Sequence, residues 1–253
     1  MGRVLRPGPG SMAGLRWLAR CGPSPLDPWR YAMGWSEVAA RSHARRLERE
    51  GWLERCPMTW GDGSLFLATR KGVLMLGLPL IPASTPAPTW WAHDSACAWT
   101  AAWLTVRGRM FLGQREVLSR PEWSGQLHWQ DRNSVKRSGH RPDLVASRVS
   151  STFAIEVELA GKSRPRLDAI LKLHGDWIRG GKIGGVIYIC RDEEGQRRVE
   201  RSANRVAPFG RKLRLELLDT IKQQTIAARE AARFERAEQP SAAPAPMLGG
   251  HGG

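Results

Sequence analysis

Residues 141–163 read RPDLVASRVSSTFAIEVELAGKS, and the acids in this stretch decide how the chain is read. TFAIEVEL has the apolar and β-branched content of a strand. Alternation places Ile155, Val157 and Leu159 on one face and Glu156 and Glu158 on the other. PDLVAS is a second strand, and RVSS is the turn between the two. That turn brings Asp143 back beside the glutamate face. Three carboxylates held together repel one another and resist burial. A divalent cation removes the conflict, and hard oxygen donors suit Mg2+ or Mn2+. Asp143, Glu156 and Glu158 are therefore the expected metal ligands. Such an ion activates water and stabilises charge on a phosphodiester. The competing reading of the same residues is a solvated sheet face, with the glutamates paired to Lys162, Arg164 or Arg166.

Working outward, RPRLDAILKLHGDWIRGG is a helix whose Leu167, Ile170, Leu171, His174 and Ile178 share one face. His174 on that stripe reads as a core histidine. IGGVIYIC is an unbroken apolar run suited to a strand buried on both faces. KLRLELL reads as another strand and DTIKQQTIAAREAARFERAEQ as a C-terminal helix. Upstream, AHDSACAWTAAWLTVRG is a helix, followed by FLGQREVLSRPEW with Glu116. Helices alternating with strands predict an α/β layer arrangement with a mixed central sheet, α+β for the chain as a whole. His93 and His140 are candidate neighbours of a metal or phosphate, and Arg141 a candidate phosphate contact.

The N-terminal part has a different grammar. GLRWLARC is short and amphipathic, and LDPWRYAMG is a second helix with Pro28 in its first turn. Ser36 caps a third helix that stops at Gly51. Val38, Ala40, Ala44 and Leu47 are its expected apolar positions; Arg41, Ser42, Arg45, Arg46 and Arg49 line the other face. WLERCPM and SLFLATRKGV then alternate around TWGDG, a hairpin signal that puts Arg70 and Lys71 on a wing strand. Three helices followed by a ribbon predict a winged helix-turn-helix. Arg41, Ser42, Arg45, Arg46, Arg49, Arg70 and Lys71 are its DNA-contacting candidates. A charged, solvated helix face is the plainer reading.

Composition agrees with a polyanionic partner. The 253 residues carry a formal net charge of +15, and of 39 cationic residues seven are Lys and the rest Arg. Arg suits phosphate and base recognition because its planar fork donates two parallel hydrogen bonds. The four cysteines show no CxxC spacing, which argues against a Cys-only zinc site. Residues 72–93 hold no Asp, Glu, Lys or Arg, but four prolines exclude a membrane helix there. No secretory signal pattern stands at the N-terminus, so the expectation is a soluble cytoplasmic protein without membrane association. The Pro-rich run divides the chain into 1–78 (DNA-binding), 79–91 (linker), 92–237 (nuclease-like) and 238–253 (disordered tail). Trp90 and Trp91 at the linker's end are read as domain packing, with base stacking as the alternative.

Pro142-Asp143 followed by Glu156-Val157-Glu158 resembles the PD-(D/E)xK nuclease superfamily, with Glu158 where Lys is expected. The resemblance implies catalytic roles for Asp143, Glu156 and Glu158, a displaced cation in Lys162, and an extra acidic residue in Glu116. A wider resemblance covers most of the chain. Winged helix, WAHDSACAW, QREVLSR, HRPDLV and AIEVELAGKSRPRLDAIL come in the order of the actinobacterial plasmid replication-relaxation family. It implies double-stranded plasmid or mobile-element DNA as partner, with replication, relaxation or mobilisation as the setting. Metal-dependent nicking is one expected activity. A winged-helix regulator whose second domain is an inactive oligomerisation scaffold is the alternative. A homodimer or replication and mobilisation proteins are the expected protein partners.

Overall fold

The computed structural model describes residues 7–58, 63–80, 85–131, 134–148, 151–206 and 209–238. In chain order the elements are α1 (Pro9–Cys21), β1 (Ser24–Pro25), α2 (Leu26–Met33), α3 (Glu37–Arg49), β2 (Leu53–Pro57), β3 (Ser64–Ala68) and α4 (Arg70–Met75). Then come α5 (Trp91–Val106), β4 (Met110–Leu112), α6 (Gln114–Leu118), β5 (Gly125–Asp131), β6 (Ser134–His140), β7 (Leu144–Arg148) and β8 (Ser151–Glu158). The last are α7 (Arg164–Arg179), β9 (Gly185–Cys190), α8 (Glu193–Val206), β10 (Leu213–Leu217) and α9 (Leu218–Glu238).

The architecture is α+β with a mixed central sheet. Its five strands run β10-β9-β8-β7-β4; β8, β9 and β10 are parallel, while β7 and β4 are antiparallel to their neighbours. Helices α7 and α8 are the crossovers that parallel pairing demands. Strand alternation sorts the two faces. Ile155, Val157 and Ile189 join Ala101, Trp103 and Ile221 of α5 and α9 in one apolar cluster. Ala154, Val186 and Tyr188 join Leu167, Leu171 and Val199 of α7 and α8 in another. Glu156 and Glu158 share the parity of the second face, so they point under α7 and α8 rather than to water.

The first seven elements build a smaller unit. β1, β3 and β2 form an antiparallel sheet beside α1, α2 and α3. Ser36 caps α3, its hydroxyl accepting from the Ala39 N–H at 3.2 Å, and Gly51 adopts a left-handed φ of 68° just past the helix. Leu15, Trp29 and Leu47 of this unit belong to the same apolar cluster as Ala101 and Ile155. Residues 1–78 and 92–237 therefore meet in a common core. Trp91 opens α5 inside the stretch read as linker and packs on Cys56, Leu65 and Leu67 of the β2–β3 hairpin.

Several expectations need correction. Val38 is 80% exposed. At about 100° per residue, Ala40, Ala44 and Leu47 form one stripe, and Val38 falls on the opposite side among the arginines. Arg70 and Lys71 stand on α4, not on a wing strand: the Thr69 hydroxyl accepts from the Gly72 N–H at 3.1 Å and starts a helix where the strand ends. The β5–β6 hairpin, β1, β4 and α8 are additional elements. Most of TWGDG, the centre of the RVSS turn, residues 81–84 of the linker and residues 239–253 of the tail lie outside the described residues. No helix among the described residues is long and apolar enough to cross a membrane. The cysteines are free and buried.

Candidate active site

The site lies at the carboxyl end of β8, where strands of an open α/β sheet usually present ligand groups. Asp143 directly precedes β7, and its N–H donates to the Ile155 carbonyl at 3.0 Å. Beyond that point β7 no longer covers β8. The Asp143 side chain takes over, its Oδ2 accepting from the Val157 N–H at 2.7 Å. A strand-edge donor that would otherwise be orphaned thus fixes the carboxylate. The other oxygen, Oδ1, lies 3.2 Å from Nε2 of His93 in the first turns of α5. His93 Nδ1 is in turn 3.5 Å from the Cys97 sulfur one helical turn on.

Glu156 is 2% exposed. Its Oε1 is 2.8 Å from Nε2 of His140, the last residue of β6, and 3.3 Å from Nε2 of His174 on α7. The first contact is a hydrogen bond. The second is an ion-pair distance without hydrogen-bond geometry: among the described residues neither ring nitrogen of His174 has a hydrogen-bond partner. Among the described residues the buried Tyr188 hydroxyl also has no hydrogen-bond partner, and Tyr188 stands beside Glu156 in register on β9. An unpaired buried polar group costs about 1–3 kcal/mol. Two of them next to a buried carboxylate mark a place shaped for something other than packing. His174 is buried as its stripe demands, yet it faces the site.

Glu158, equally buried, is gripped by Lys162: the Lys162 backbone N–H donates to Oε1 at 3.2 Å, and the ammonium binds Oε2. The solvated-face reading is therefore half right. The lysine pairing exists, but it is internal. Glu116 does not join the group. Its Oε2 accepts from the Gly113 N–H at 2.9 Å, capping α6, and pairs with Arg20 Nε at 3.0 Å, which ties α6 to α1.

Electrostatics follow from this crowding. Burial and the charge of Glu156 push the Asp143 carboxyl well above the usual carboxylate range. Burial also opposes the charge on Glu156, but His140 and His174 outweigh it and hold that carboxyl low. Burial alone would lower His140; Glu156 reverses this and raises it. His93 is lowered by burial and then by Lys162. Lys162 loses hydration too, yet Glu156 and Glu158 raise it and keep it charged.

Asp143 opens onto a cleft of about 640 Å3 lined also by Trp90, Asp94, Arg115, Arg141 and Pro142. Trp90 is 59% exposed and lies against the His93 ring with centroids 5.8 Å apart. The cleft thus combines two guanidinium groups, an exposed aromatic face and one wall of the carboxylate cluster.

No known family and no curated protein matches the chain. Among solved structures it is similar to a protein described as VC1899 from Vibrio cholerae, at 12% identity and a TM-score of 0.31. The alignment covers 89% of this chain and 51% of that one, so the chain spans about half the length of the structure it matches.

Of the residues the sequence brought forward, Glu158 and Lys162 pair directly, Asp143 accepts from the Val157 N–H between the two glutamates, and Glu156 turns to His140 and His174. The sequence undervalued His174 and left His93 and His140 as neighbours only. The usable signal was HRPD itself: a histidine three residues before the aspartate, at the end of a strand returning to β8.

Proposed function

We propose that this protein binds double-stranded DNA through its N-terminal unit and cleaves a phosphodiester bond with a divalent ion at Asp143 and Glu156. The reading places it among plasmid or mobile-element transactions, as a nicking rather than a degrading activity. The observation that carries it is the meeting of a strand-end aspartate, a buried glutamate and a captive lysine beside a cleft with two arginines. The PD-(D/E)xK pattern asks for a lysine at position 158. Here Glu158 holds Lys162 instead, so the cation arrives from the following loop.

Asp143 and Glu156 are the pair we assign to a divalent ion: the antiparallel register of β7 and β8 sets Asp143 across from Glu156, whose charge acts on it, and carboxylate oxygens are the hard donors such ions take. Glu158 fits less well as a ligand, because both its oxygens are occupied by Lys162. A bound ion supplies an activated water and polarises the phosphate. The chain's own groups do the rest. His93 orients Asp143 through Oδ1. Lys162 holds a positive charge where negative charge develops on the phosphate oxygens. Arg115 and Arg141 receive flanking phosphates, and Trp90 offers a face for a base.

The DNA-binding half of the proposal is supported by the order α1-β1-α2-α3-β2-β3, which is that of a winged helix. Arg41, Ser42, Arg45, Arg46 and Arg49 lie along α3, all five exposed. Val38 in their midst suits contact with a thymine methyl in the major groove. Lys71 contributes differently, its ammonium donating to the Glu50 carbonyl at 2.7 Å and capping α3. The test is conversion of supercoiled plasmid to open circle with Mg2+ or Mn2+. Asp143→Asn and Glu156→Gln should abolish it while plasmid binding persists. Wild-type protein that binds plasmid and leaves it supercoiled with either ion would favour the inactive-scaffold reading.

A further inference from the structure

We propose that His140, Glu156 and His174 form a second metal site, one that takes an imidazole-preferring transition ion such as Zn2+. One potential ligand atom from each of the three residues lies within 4.8 Å of the others. The two histidine-to-glutamate separations are 2.8 and 3.3 Å. Ligand atoms about 2.0–2.2 Å from zinc stand about 3.3 Å apart around a tetrahedral centre, so small side-chain shifts would admit the ion. Two imidazoles and one carboxylate, from β6, α7 and β8, are a donor set suited to Zn2+ and not to Mg2+.

The second, independent observation is the state of His174. Its ring is fully buried, and among the described residues neither nitrogen has a hydrogen-bond partner. A core histidine normally finds one. Here Nε2 lies 3.3 Å from Glu156 Oε1 without a hydrogen bond between them, so an ion could take its place between the two. The Tyr188 ring lies 6.3 Å from the His174 ring, and its buried hydroxyl is likewise unpartnered. The His140 side chain is 10% exposed and gives the route in.

This goes beyond the nicking proposal and depends on it in no step. Glu156 is common to both, but His140 and His174 contact Glu156, whereas His93 contacts Asp143. Zn2+ held here would fix Glu156 from beneath, as a structural or co-catalytic ion, whatever occupies the cleft.

The experiment uses metal-stripped full-length protein and Co2+ as the probe. Wild type should bind one equivalent with a visible ligand-field band, Zn2+ should displace it, and Zn2+ should raise the melting temperature. His140→Gln and His174→Gln should each lose the band and the thermal shift, while His93→Ala and Glu158→Gln keep both. His140→Gln lies at the rim, so a folded protein is expected if His174→Gln unfolds. No band in wild type, or a band that survives His140→Gln, overturns the site. Nicking assayed separately with Mg2+ on stripped protein tells the two proposals apart: cleavage without a cobalt band sinks this one alone, and a band without cleavage sinks only the other.

Discussion

Glu158 and Lys162 form a closed pair: one carboxylate oxygen receives the lysine's backbone N–H and the other its ammonium. Two bonds from one residue fix both the loop and the side chain. In the proposed mechanism, Glu158, at the position where the nuclease pattern has lysine, is the group that positions Lys162.

Lys162→Ala should lower metal-dependent nicking by about 10²–10³-fold, the usual cost of removing one preorganised donor to developing charge. Glu158→Gln should lower it too, because the lysine loses its anchor, while plasmid affinity stays put. Single-turnover rates on supercoiled plasmid provide the measurement. Equal rates for wild type and Lys162→Ala would remove the lysine from the mechanism.

Replacing Arg45 and Arg46 with Ala should weaken DNA binding and reduce the salt slope by about one for each phosphate these side chains neutralise. Val38→Ala should act differently. It should leave the salt slope alone and narrow the preference between target sequences, since an apolar contact reads bases and not phosphates. Fluorescence anisotropy at several salt concentrations separates these effects.

Asp94 sits 8% exposed in the first turns of α5, and burial pushes its carboxyl up to about 6. An acid with a raised folded value binds its proton more tightly in the folded state. Stability should therefore fall as pH rises from about 4 to 6, then level off. Asp94→Asn removes this loss and should be the more stable protein at pH 8, by about 2–3 kcal/mol, with little difference at pH 4. Urea melts at the two pH values test it; an Asn variant weaker at pH 8 would contradict the assignment.

Trp29 is fully buried, donates its indole N–H to the Gly14 carbonyl at 3.1 Å and lies edge-on to Trp35. Trp29→Ala should cost about 3–5 kcal/mol. Because the cluster around it continues into α5 and β8, the whole chain should unfold in one transition at a lower midpoint. A variant in which circular dichroism shows the α5–α9 portion melting unchanged would mean that the two parts are energetically separate.

Strand periodicity made the glutamate pair legible, since residues two apart must share a face, and a short connection made Asp143 their neighbour. The histidines were harder to see because they arrive from α5, β6 and α7, and only tertiary packing unites them. The β5–β6 hairpin escaped because Lys136, Arg137, Ser138 and Gly139 dilute its strand character; the alternation of Leu127 and Trp129 was the trace it left. Helix α8 has little apolar content beyond Val199 and Ala203, so packing beneath β9 makes it a helix more than its own pattern does. Val38 misled because it was read by type and not by angle.

Helix α9 reaches back across the chain: Arg229 donates to the carbonyls of Tyr31 and Ala32, each at 2.6 Å, and Arg233 to that of Trp35 at 2.5 Å. Those carbonyls close α2 and lead into α3. During synthesis, which presents the N-terminal portion first, the end of α2 waits for these guanidinium groups until nearly everything else described has left the ribosome. The arginine-bearing helix would thus gain its final bracing late, after the residues around Glu156 had been made.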